Sequence, residues 1–275
     1  VARPEWVVIR TFLLIIAAGA LLLMLPAAHP GGRWMDPVTA LFTATSAACV
    51  TGLSVADTGA DFSLFGQLVI LALIQAGGIG VMTLAAFLLL AVGRRASMLE
   101  ENVMLSTLGL DRAAGLTLVL RKTVLFTLLF EAVGTAVLAW RFSAHGMAPP
   151  RAVYVGLFHA VSAFCNAGFS LFPDSLIGFR QDPWIVLTLA ALLVSGGLGF
   201  LVWHELSALK FWRIRTLRGG LSLHTRMVLM ASAVLTAIGI GSFLFVEWNG
   251  TLAELSVPHR LLAAGFQGVT SRTAG

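Results

Sequence analysis

The chain alternates long apolar runs with short polar segments, and this pattern predicts five membrane-spanning helices. Each run is long enough to cross the hydrocarbon core of a bilayer, which takes about 20 residues at about 1.5 Å per residue. An apolar run of this length is typical of a helix that faces lipid or other buried helices. The five runs cover residues 6–26, 66–92, 116–140, 184–205 and 227–246.

Three further apolar segments are too short to span a bilayer. They cover residues 37–48, 152–164 and 259–270. Apolar segments of about a dozen residues fit re-entrant or interfacial helices. Proline stands near the start of each one, as Pro37, the pair Pro149-Pro150, and Pro258. Because proline is favoured in the first turn of a helix, these positions predict where the short helices begin.

Composition supports a membrane location. Hydrophobic residues form 58% of the 275-residue chain and charged residues only 11%, whereas soluble domains carry about 25% charged residues.

Run 6–26 is too long for the apolar region of a signal peptide and lacks a small-residue cleavage site, so it is expected to stay as a span. The two cysteines, Cys49 and Cys165, are too few for a disulfide framework and are interpreted as buried small hydrophobic residues.

Lysine and arginine are distributed unevenly between the two sides of the predicted spans. With the N-terminus in the cytoplasm, twelve of the 18 lie in inside segments and six in outside segments, so the positive-inside rule favours this orientation. The net charge of +5 therefore reflects topology and gives no reason to expect a nucleic-acid partner. All three short helices then enter from the outside face. The basic loop 210–226 is expected to contact anionic lipid, a cytosolic partner with an acidic face, or both.

The short segments and their following residues are repeated along the chain. The first reads LFTATSAACVTGL from Leu41, the second LFHAVSAFCNAGF from Leu157, and the third GFQGVTSRTAG from Gly265. The next apolar runs also match, as LIQAGGIGVMT from Leu73 and LVSGGLGFLVW from Leu193. The pattern predicts an all-α polytopic membrane protein built from repeats of outer helix, re-entrant pore helix, filter loop and inner helix.

The repeats divide the chain into five segments. The first two repeats are complete, and the third ends at its filter glycine. The boundaries are 1–95 for the first repeat, 96–115 for a cytoplasmic linker, 116–207 for the second repeat, 208–224 for a basic cytoplasmic linker, and 225–275 for the incomplete third repeat.

The loop after each short helix indicates an ion pathway. Non-helical backbone at membrane depth is tolerated only where it is buried in protein or lines a water-filled path. Carbonyl groups presented by several copies around one axis can replace the hydration shell of a cation, and glycine lets consecutive carbonyls point the same way. The predicted filter residues are Val50, Thr51 and Gly52; Asn166, Ala167 and Gly168; and Thr273, Ala274 and Gly275.

Other candidate residues receive narrower interpretations. Asp57 follows the first loop and is expected at the outer mouth, where an acid raises the local cation concentration. His204-Glu205 lacks the second histidine of a zinc motif, because position 208 is alanine, and is interpreted as a polar helix end. His159 is interpreted as a hydrogen-bonded helix residue. The glycines of the inner helices are interpreted as packing residues; they are Gly77, Gly78, Gly80, Gly196, Gly197 and Gly199.

Glu131 and Arg272 are interpreted as charged residues at membrane depth, where charges are costly and usually paired. Arg272 stands three residues before Gly275, and a cation aimed into the pore would repel a transported cation. Arg272 is therefore predicted to point behind the filter and to support the loop through carbonyl or carboxylate contacts. Glu131 is one candidate partner for it; a snorkelling or interhelical hydrogen bond is the alternative for Glu131.

The segments TSAACVTGL, SAFCNAGF and SRTAG, with the two Gly-Gly-x-Gly inner helices, resemble the Trk/Ktr/HKT superfamily of potassium transporters, in particular KtrB-type membrane subunits. The resemblance implies four repeats around one pore in a single chain, a homodimer in the membrane, and a cytosolic KtrA/TrkA-like ring that alone binds nucleotide. Because the third repeat stops at Gly275 and no fourth follows, the 275 residues are expected to belong to a longer protein.

The resulting functional prediction is potassium uptake across the cytoplasmic membrane, passive or sodium-dependent, with selection by backbone carbonyls. The alternative is a sodium-selective or weakly selective uniporter of the same fold, although the resemblance implies that glycine rather than serine at position 52 favours potassium. A membrane enzyme would need converging acids or histidines inside the spans, and Glu131 stands almost alone there. A purely structural scaffold would not explain three short helices entering from one side.

Overall fold

The computed structural model describes residues 4–80, 116–208 and 221–272, and all regular secondary structure in these ranges is helical. The predicted all-α class is therefore confirmed. The helices are α1 (Pro4–Met24), α2 (Pro37–Ala48), α3 (Leu64–Gly78), α4 (Leu116–Ala144), α5 (Pro149–Phe164), α6 (Pro183–Leu198), α7 (Phe200–Ala208), α8 (Leu223–Glu247) and α9 (Val257–Thr270), with single 3₁₀ turns at Pro26–Ala28 and Ile177–Phe179.

Each repeat forms one packed unit. In the first, α1 contacts α2 and α3, and α2 also contacts α3; in the second, α4, α5 and α6 contact one another in the same way. In the third, α8 contacts α9. The predicted unit of outer helix, short helix and inner helix is thus present twice, with its first two helices present a third time.

Successive repeats are joined through their inner helices. The inner helix α3 packs against α5 of the second repeat, and the inner helix α6 packs against α9 of the third. Buried side chains follow the same connection, since Phe158 and Phe169 join the core of the first repeat, and Val269 joins the core of the second. Every short helix after the first is therefore held between its own repeat and the preceding one.

The short helices begin where their prolines predict. Pro37, Pro149 and Pro258 occupy the first turn of α2, α5 and α9. The N-terminus of α2 is also capped by Asp36, whose carboxylate accepts a hydrogen bond from the backbone N–H of Thr39 at 3.0 Å. A carboxylate cap of this kind satisfies a helix N–H group that has no partner within the helix.

The outer surface of the bundle is apolar. Leu13 on α1, Leu125 on α4 and Phe245 on α8 leave 59%, 64% and 88% of their surface exposed. Large exposed patches of this kind mark a surface that contacts something other than water. By length and composition, two helices among the described residues can cross a membrane, at Arg121–Ala144 and Leu223–Glu247, and a bent pair is a third candidate.

The bent pair corrects one predicted span. Run 184–205 was expected to be one continuous helix, but α6 and α7 are bent by 96° at a break between them. Gly199 lies at this break with a φ of +79°, a backbone conformation that costs side-chain-bearing residues about 1–2 kcal/mol. Gly80, its match in the first repeat, has a φ of +82° just after α3. The packing interpretation is therefore wrong for Gly199, where an added side chain would meet no atom within 4 Å, and it stays a prediction for Gly80.

The remaining inner-helix glycines that can be tested do serve packing. A side chain at Gly77 would collide with the carbonyl group of Ala48 at the end of α2, and one at Gly196 would collide with the matching carbonyl group of Phe164 at the end of α5. The inner helix of each repeat therefore approaches the C-terminus of its own short helix at backbone distance. Residues 81–92 of the second predicted span lie outside the described residues.

Candidate selectivity filter

The loops after α2 and α5 have the same backbone conformation. Val50 and Asn166 have φ values of +56° and +59°, and two residues later Gly52 and Gly168 have values of +77° and +73°. A β-branched residue such as valine rarely adopts positive φ, so its presence at this position shows how firmly the surrounding structure imposes the loop shape. The two predicted filter loops are thus copies in three dimensions as well as in sequence.

The same hydrogen bonds shape both loops. In the first, the backbone N–H of Thr51 donates to the carbonyl of Ser46 at 2.9 Å, and the Ser46 hydroxyl donates to the carbonyl of Leu53 at 2.6 Å. In the second, the N–H of Ala167 donates to the carbonyl of Ser162 at 2.7 Å. The Ser162 hydroxyl then donates to the carbonyl of Phe169 at 2.7 Å.

These two serines shape the predicted filter loops, and the sequence interpretation missed them. Both are buried, with 4% and 3% of Ser46 and Ser162 exposed, and each ties the chain beyond the filter glycine back to its short helix. The available signal was the Ser-Ala pair shared by the two repeats. Such a match marks a repeat, but it does not say which atom a hydroxyl contacts.

The carbonyl groups of the six predicted filter residues that the structure describes accept no hydrogen bond from the described part of the chain. Within the described residues, no hydrogen bond goes to the carbonyl oxygens of Val50, Thr51 and Gly52, or to those of Asn166, Ala167 and Gly168. Five of these six residues are exposed or half-buried, so water or an ion can reach the loops. Two matching sets of unpaired carbonyls can therefore coordinate water or a cation.

The short helices add negative potential at the same place. The C-terminal ends of α2 and α5 lead directly into the two loops. A helix carries a partial charge of roughly −0.5 at its C-terminus, from carbonyl groups without a partner inside the helix. Both helices consequently favour a positive charge near the loop carbonyls.

The third loop is described only at its start. The N–H of Ser271 donates to the carbonyl of Gln267 at 3.0 Å, and the N–H of Arg272 donates to the carbonyl of Val269 at 3.3 Å. The same hydrogen-bond spacing ends α2 at Cys49 and Val50. Residues 273–275, which include the predicted filter residues Thr273, Ala274 and Gly275, lie outside the described residues.

Neither of the two membrane charges has an ion-pair partner in the described part of the chain. One guanidinium nitrogen of Arg272, Nη2, is buried without a hydrogen-bond partner there, as is Oε1 of Glu131. The amide nitrogen of Gln75 on the first inner helix, Nε2, is likewise buried without a hydrogen-bond partner in the described ranges. No ion pair joins Glu131 to Arg272 among the described residues, and both the interhelical interpretation of Glu131 and the supporting role of Arg272 stay predictions.

The predicted outer-mouth residue Asp57 lines a cavity together with a filter residue. The cavity has a volume of about 410 Å³ and lies between the loops of the first two repeats, with Asp57, Asp61 and Gly168 among its lining residues. One oxygen of Asp57, Oδ1, accepts hydrogen bonds from the N–H groups of Gly59 and Ala60 at 2.8 and 3.0 Å. The carboxylate is therefore held in place beside the cavity.

An ion pair ties the C-terminal part of α4 to the N-terminus of α6. Asp182 caps α6, and its Oδ2 accepts hydrogen bonds from Arg141 at 2.6 Å and from His145 at 2.7 Å. Burial by itself would raise the pKa of Asp182, but the hydrogen bonds from Arg141 and His145 outweigh that effect and lower the pKa from 3.8 to about 2. Asp182 thus keeps its charge at every physiological pH.

Three smaller predictions can be compared with the structure. Cys165 is buried, but Cys49 is exposed, so the expectation of a buried pair is wrong for Cys49. His159 is hydrogen-bonded as expected, with Nδ1 2.8 Å from the carbonyl oxygen of Val155. Glu205 at the end of α7 accepts a hydrogen bond from the N–H of Ser222 at 3.0 Å, and no cluster in the described ranges has the composition of a metal site.

Comparison with known families identifies the chain. A family model named TrkH and described as a cation transport protein matches residues 3–275. The chain belongs to the TrkH family. The predicted superfamily is therefore confirmed, and the description of the family and the names of its curated relatives refer to ion transport or uptake.

Curated relatives of this TrkH-family chain agree with that assignment. The Ktr system potassium uptake protein B of Bacillus subtilis (strain 168) is 38% identical over 276 residues, covering 99% of this chain and 60% of the relative. The protein of the same name from Vibrio alginolyticus is 38% identical over 273 residues, covering 98% and 58%. The potassium/sodium uptake protein NtpJ of Enterococcus hirae is 33% identical over 274 residues, covering 99% and 59%. The chain spans about three fifths of the length of these relatives.

Proposed function

We propose that this chain supplies three of the filter loops of a potassium uptake pathway across the cytoplasmic membrane. The single observation that carries the proposal is the matching pair of loops at 50–52 and 166–168, in which six carbonyl oxygens have no hydrogen-bond partner among the described residues. Free carbonyls are the ligands that replace the hydration shell of potassium in a backbone filter. The residues at 273–275 would complete the third loop.

Potassium is the transported ion rather than a resident cofactor in this proposal. It is supported by the two relatives named as Ktr system potassium uptake proteins, each 38% identical to the chain. Asp57 would concentrate the cation at the outer mouth, since the cavity it lines also borders the filter residue Gly168. Transport needs no covalent chemistry, and sodium would act only as a coupled ion.

A second candidate function is uptake of both potassium and sodium. The relative from Enterococcus hirae, 33% identical over 274 residues, is named as a potassium/sodium uptake protein. Both candidate functions use the same filter and differ only in how strongly the filter prefers potassium to sodium. Rubidium uptake measured with increasing sodium therefore separates them.

The proposal extends to regulation and orientation. A cytosolic KtrA/TrkA-like nucleotide-binding ring would gate the transporter by contacting the basic loop 210–226, most of which lies outside the described residues. The transporter would be a homodimer in the lipid bilayer, with the N-terminus of this chain in the cytoplasm. Co-purification of the full-length protein with such a ring, and loss of that association when the basic residues of the loop are neutralised, would test this part.

The filter is tested by changing its first glycine in the full-length protein. Cells that lack potassium uptake systems would express the wild type, Gly52→Ser or Gly241→Ser, and rubidium uptake would be measured with increasing sodium. Gly241 is the matched control, because a side chain there meets no atom within 4 Å. We expect Gly52→Ser to weaken discrimination against sodium about tenfold, which corresponds to about 1.4 kcal/mol, and Gly241→Ser to behave as wild type.

The opposite result would remove the filter assignment. If Gly52→Ser is present in the membrane at wild-type amount and discriminates as well as wild type, then the loop at 50–52 is a packing turn. If the wild type itself admits sodium and rubidium equally, the second candidate function replaces the first.

A further inference from the structure

We infer that His159 is a positioning residue for the second filter loop. It holds this loop through the hydroxyl group of Ser170, and the resulting position of the loop sets the discrimination between ions. This inference rests on the proposed function, because it concerns the loop at 166–168. The geometry that carries it is a chain of hydrogen bonds from the short helix α5 to the segment just beyond Gly168.

The hydrogen bonds of His159 define its role. The side chain is buried, with 3% of the residue exposed. Its Nδ1 lies 2.8 Å from the carbonyl oxygen of Val155, and its Nε2 lies 3.1 Å from Oγ of Ser170. A carbonyl can only accept, so the hydrogen-bond network assigns the proton to Nδ1. Nε2 is then the acceptor, and Ser170 donates to it.

Ser170 in turn shapes the chain that leaves the filter. Its Oγ accepts a hydrogen bond from the N–H of Phe172 at 3.0 Å. The Phe172 ring stacks on the His159 imidazole, with 5.0 Å between the ring centroids. Together with the bond from Ser162 to the carbonyl of Phe169, these contacts fix the backbone on the outer side of Gly168 at two successive residues.

Packing alone does not hold this segment. A cavity of about 90 Å³ lies behind the loop, bordered by His159, Ser162, Gly168, Ser170 and Phe266 among others. An open space on one side removes the dispersion contacts that would otherwise resist movement of the loop. The directional bond between His159 and Ser170 therefore takes a larger share of the positioning.

The first loop lacks this support, and it provides an internal comparison. The repeat alignment places Thr43 opposite His159 and Ser54 opposite Ser170. The Oγ1 of Thr43 is buried without a hydrogen-bond partner among the described residues. Two loops with the same backbone shape consequently differ in how they are held, and the second loop is the one with a polar support behind the filter glycine.

The test is a double-mutant cycle in the full-length protein expressed in potassium-uptake-deficient cells. The variants are His159→Asn, Ser170→Ala and the two combined, with His159→Gln as the conservative variant and Thr43→Val as the matched control in the first loop. Asparagine can still donate to the carbonyl of Val155 but cannot reach Ser170, whereas glutamine places an amide oxygen near the position of Nε2. The readouts are the KM for rubidium, the inhibition by sodium, and the amount of protein in the membrane.

We expect each single variant to weaken discrimination between rubidium and sodium by the same factor, about three- to tenfold, because a lost hydrogen bond of about 1 kcal/mol corresponds to a factor of about five. The double variant should lose no more than either single one. His159→Gln should recover part of the discrimination, and Thr43→Val should stay within about twofold of wild type.

Three outcomes would overturn the inference. Unchanged discrimination in Ser170→Ala and His159→Asn would do so while leaving the filter intact, provided that Gly52→Ser still alters it. A fall in membrane protein amount with normal discrimination in the protein that remains would show a purely structural role. Equal effects of Thr43→Val and His159→Asn would show a nonspecific response to changes behind the filter. If Gly52→Ser also leaves discrimination unchanged, the proposed function itself has failed.

Discussion

At the scale of single residues, the filter loops depend on backbone conformations that side chains oppose. Val50 and Asn166 hold positive φ, which costs about 1–2 kcal/mol for most residues and less for asparagine. Asn166 also donates a hydrogen bond from Nδ2 to the carbonyl of Phe164 at 3.2 Å. The second loop therefore has asparagine, a residue that adopts positive φ readily. The first loop has the same conformation at a valine, which adopts it unfavourably.

Asn166→Val is expected to destabilise the protein by about 2 kcal/mol. Valine at this φ adds about 1–2 kcal/mol of strain, and the hydrogen bond to Phe164 is lost. Thermal unfolding of the detergent-solubilised protein measures the effect. Asn166→Gly is the control, because glycine accepts the conformation and loses only the hydrogen bond, so its midpoint should lie between those of valine and wild type. A valine variant as stable as wild type would contradict the strain argument.

Gly196→Ala is expected to lower the free energy of unfolding by about 1–3 kcal/mol, the usual cost of overpacking. The added methyl group would meet the carbonyl group of Phe164, so α6 would have to move away from the end of α5. Gly241→Ala, where no atom lies within 4 Å, should instead stabilise the protein by about 0.5–1 kcal/mol. Unfolding midpoints that shift in the same direction for both variants would be inconsistent with the packing role of Gly196.

The sequence identified the loop glycines but not the residues that hold the loops. Gly52 and Gly168 could be predicted because they recur at one place in two repeats and follow helices too short to span. The contacts of Ser46, Ser162 and His159 are to atoms a few residues beyond the filter. They form only because the chain turns back on itself. A linear pattern carries no information about that contact.

At the scale of secondary-structure elements, polar contacts near the helix ends hold neighbouring helices together. Arg141 on α4 reaches the cap of α6 at Asp182, and the hydroxyl of Tyr154 on α5 donates to Oε1 of Gln67 on α3 at 2.7 Å. The first contact closes the second repeat, and the second joins it to the first. Buried or half-buried hydrogen bonds of this kind fix the register between packed helices as well as their proximity.

The Asp182 cluster predicts an acid-sensitive contribution to stability. The folded-state pKa of Asp182 is lowered from 3.8 to about 2, so its stabilisation is fully present above about pH 4 and is lost as the pH falls towards 2. The unfolding midpoint of wild type should fall more steeply over this window than that of Asp182→Asn. Asp174→Asn, which changes an exposed carboxylate, serves as the control and should follow wild type. Parallel curves for Asp182→Asn and wild type would refute the assignment.

The broken inner helix shows why the span prediction for 184–205 was wrong. Hydropathy registers only that a segment is apolar, and both α6 and α7 are apolar. The break depends on the positive φ of Gly199 and on the packing of Gly196 against Phe164. Glycine permits both a straight packed helix and a sharp turn, so its presence in the sequence does not choose between them.

At the scale of the whole molecule, the repeats follow one rule of assembly. Each inner helix packs against the short helix of its own repeat, and α3 and α6 also pack against the short helix of the next repeat. Tryptophans mark one end of the bundle, where Trp140 and Trp184 meet edge to face with 5.7 Å between ring centroids. Tryptophan is enriched at membrane interfaces, so this end is expected to lie at the outer surface.

Cysteine accessibility tests that orientation. In the full-length protein with Cys49 replaced by serine, Ala60→Cys would place a thiol in the outer loop and Ser207→Cys would place one at the end of α7; both positions are exposed. We expect a membrane-impermeant maleimide to label Ala60→Cys in intact cells, and Ser207→Cys only after the membrane is opened. The reverse pattern would place the N-terminus outside.

The sequence by itself determined the membrane character of the chain, the repeated unit and the position of the loops that are predicted to form the filter. These features depend on composition, on local helix signals and on recurrence, all of which can be read along the chain. Only the tertiary structure decided that Cys49 is exposed, that the inner helix breaks at Gly199, and that Ser170 is the partner of His159. Each of these features depends either on contacts between segments far apart in the chain or on one backbone angle. The order of apolar and polar residues determines neither the contacts nor the angle.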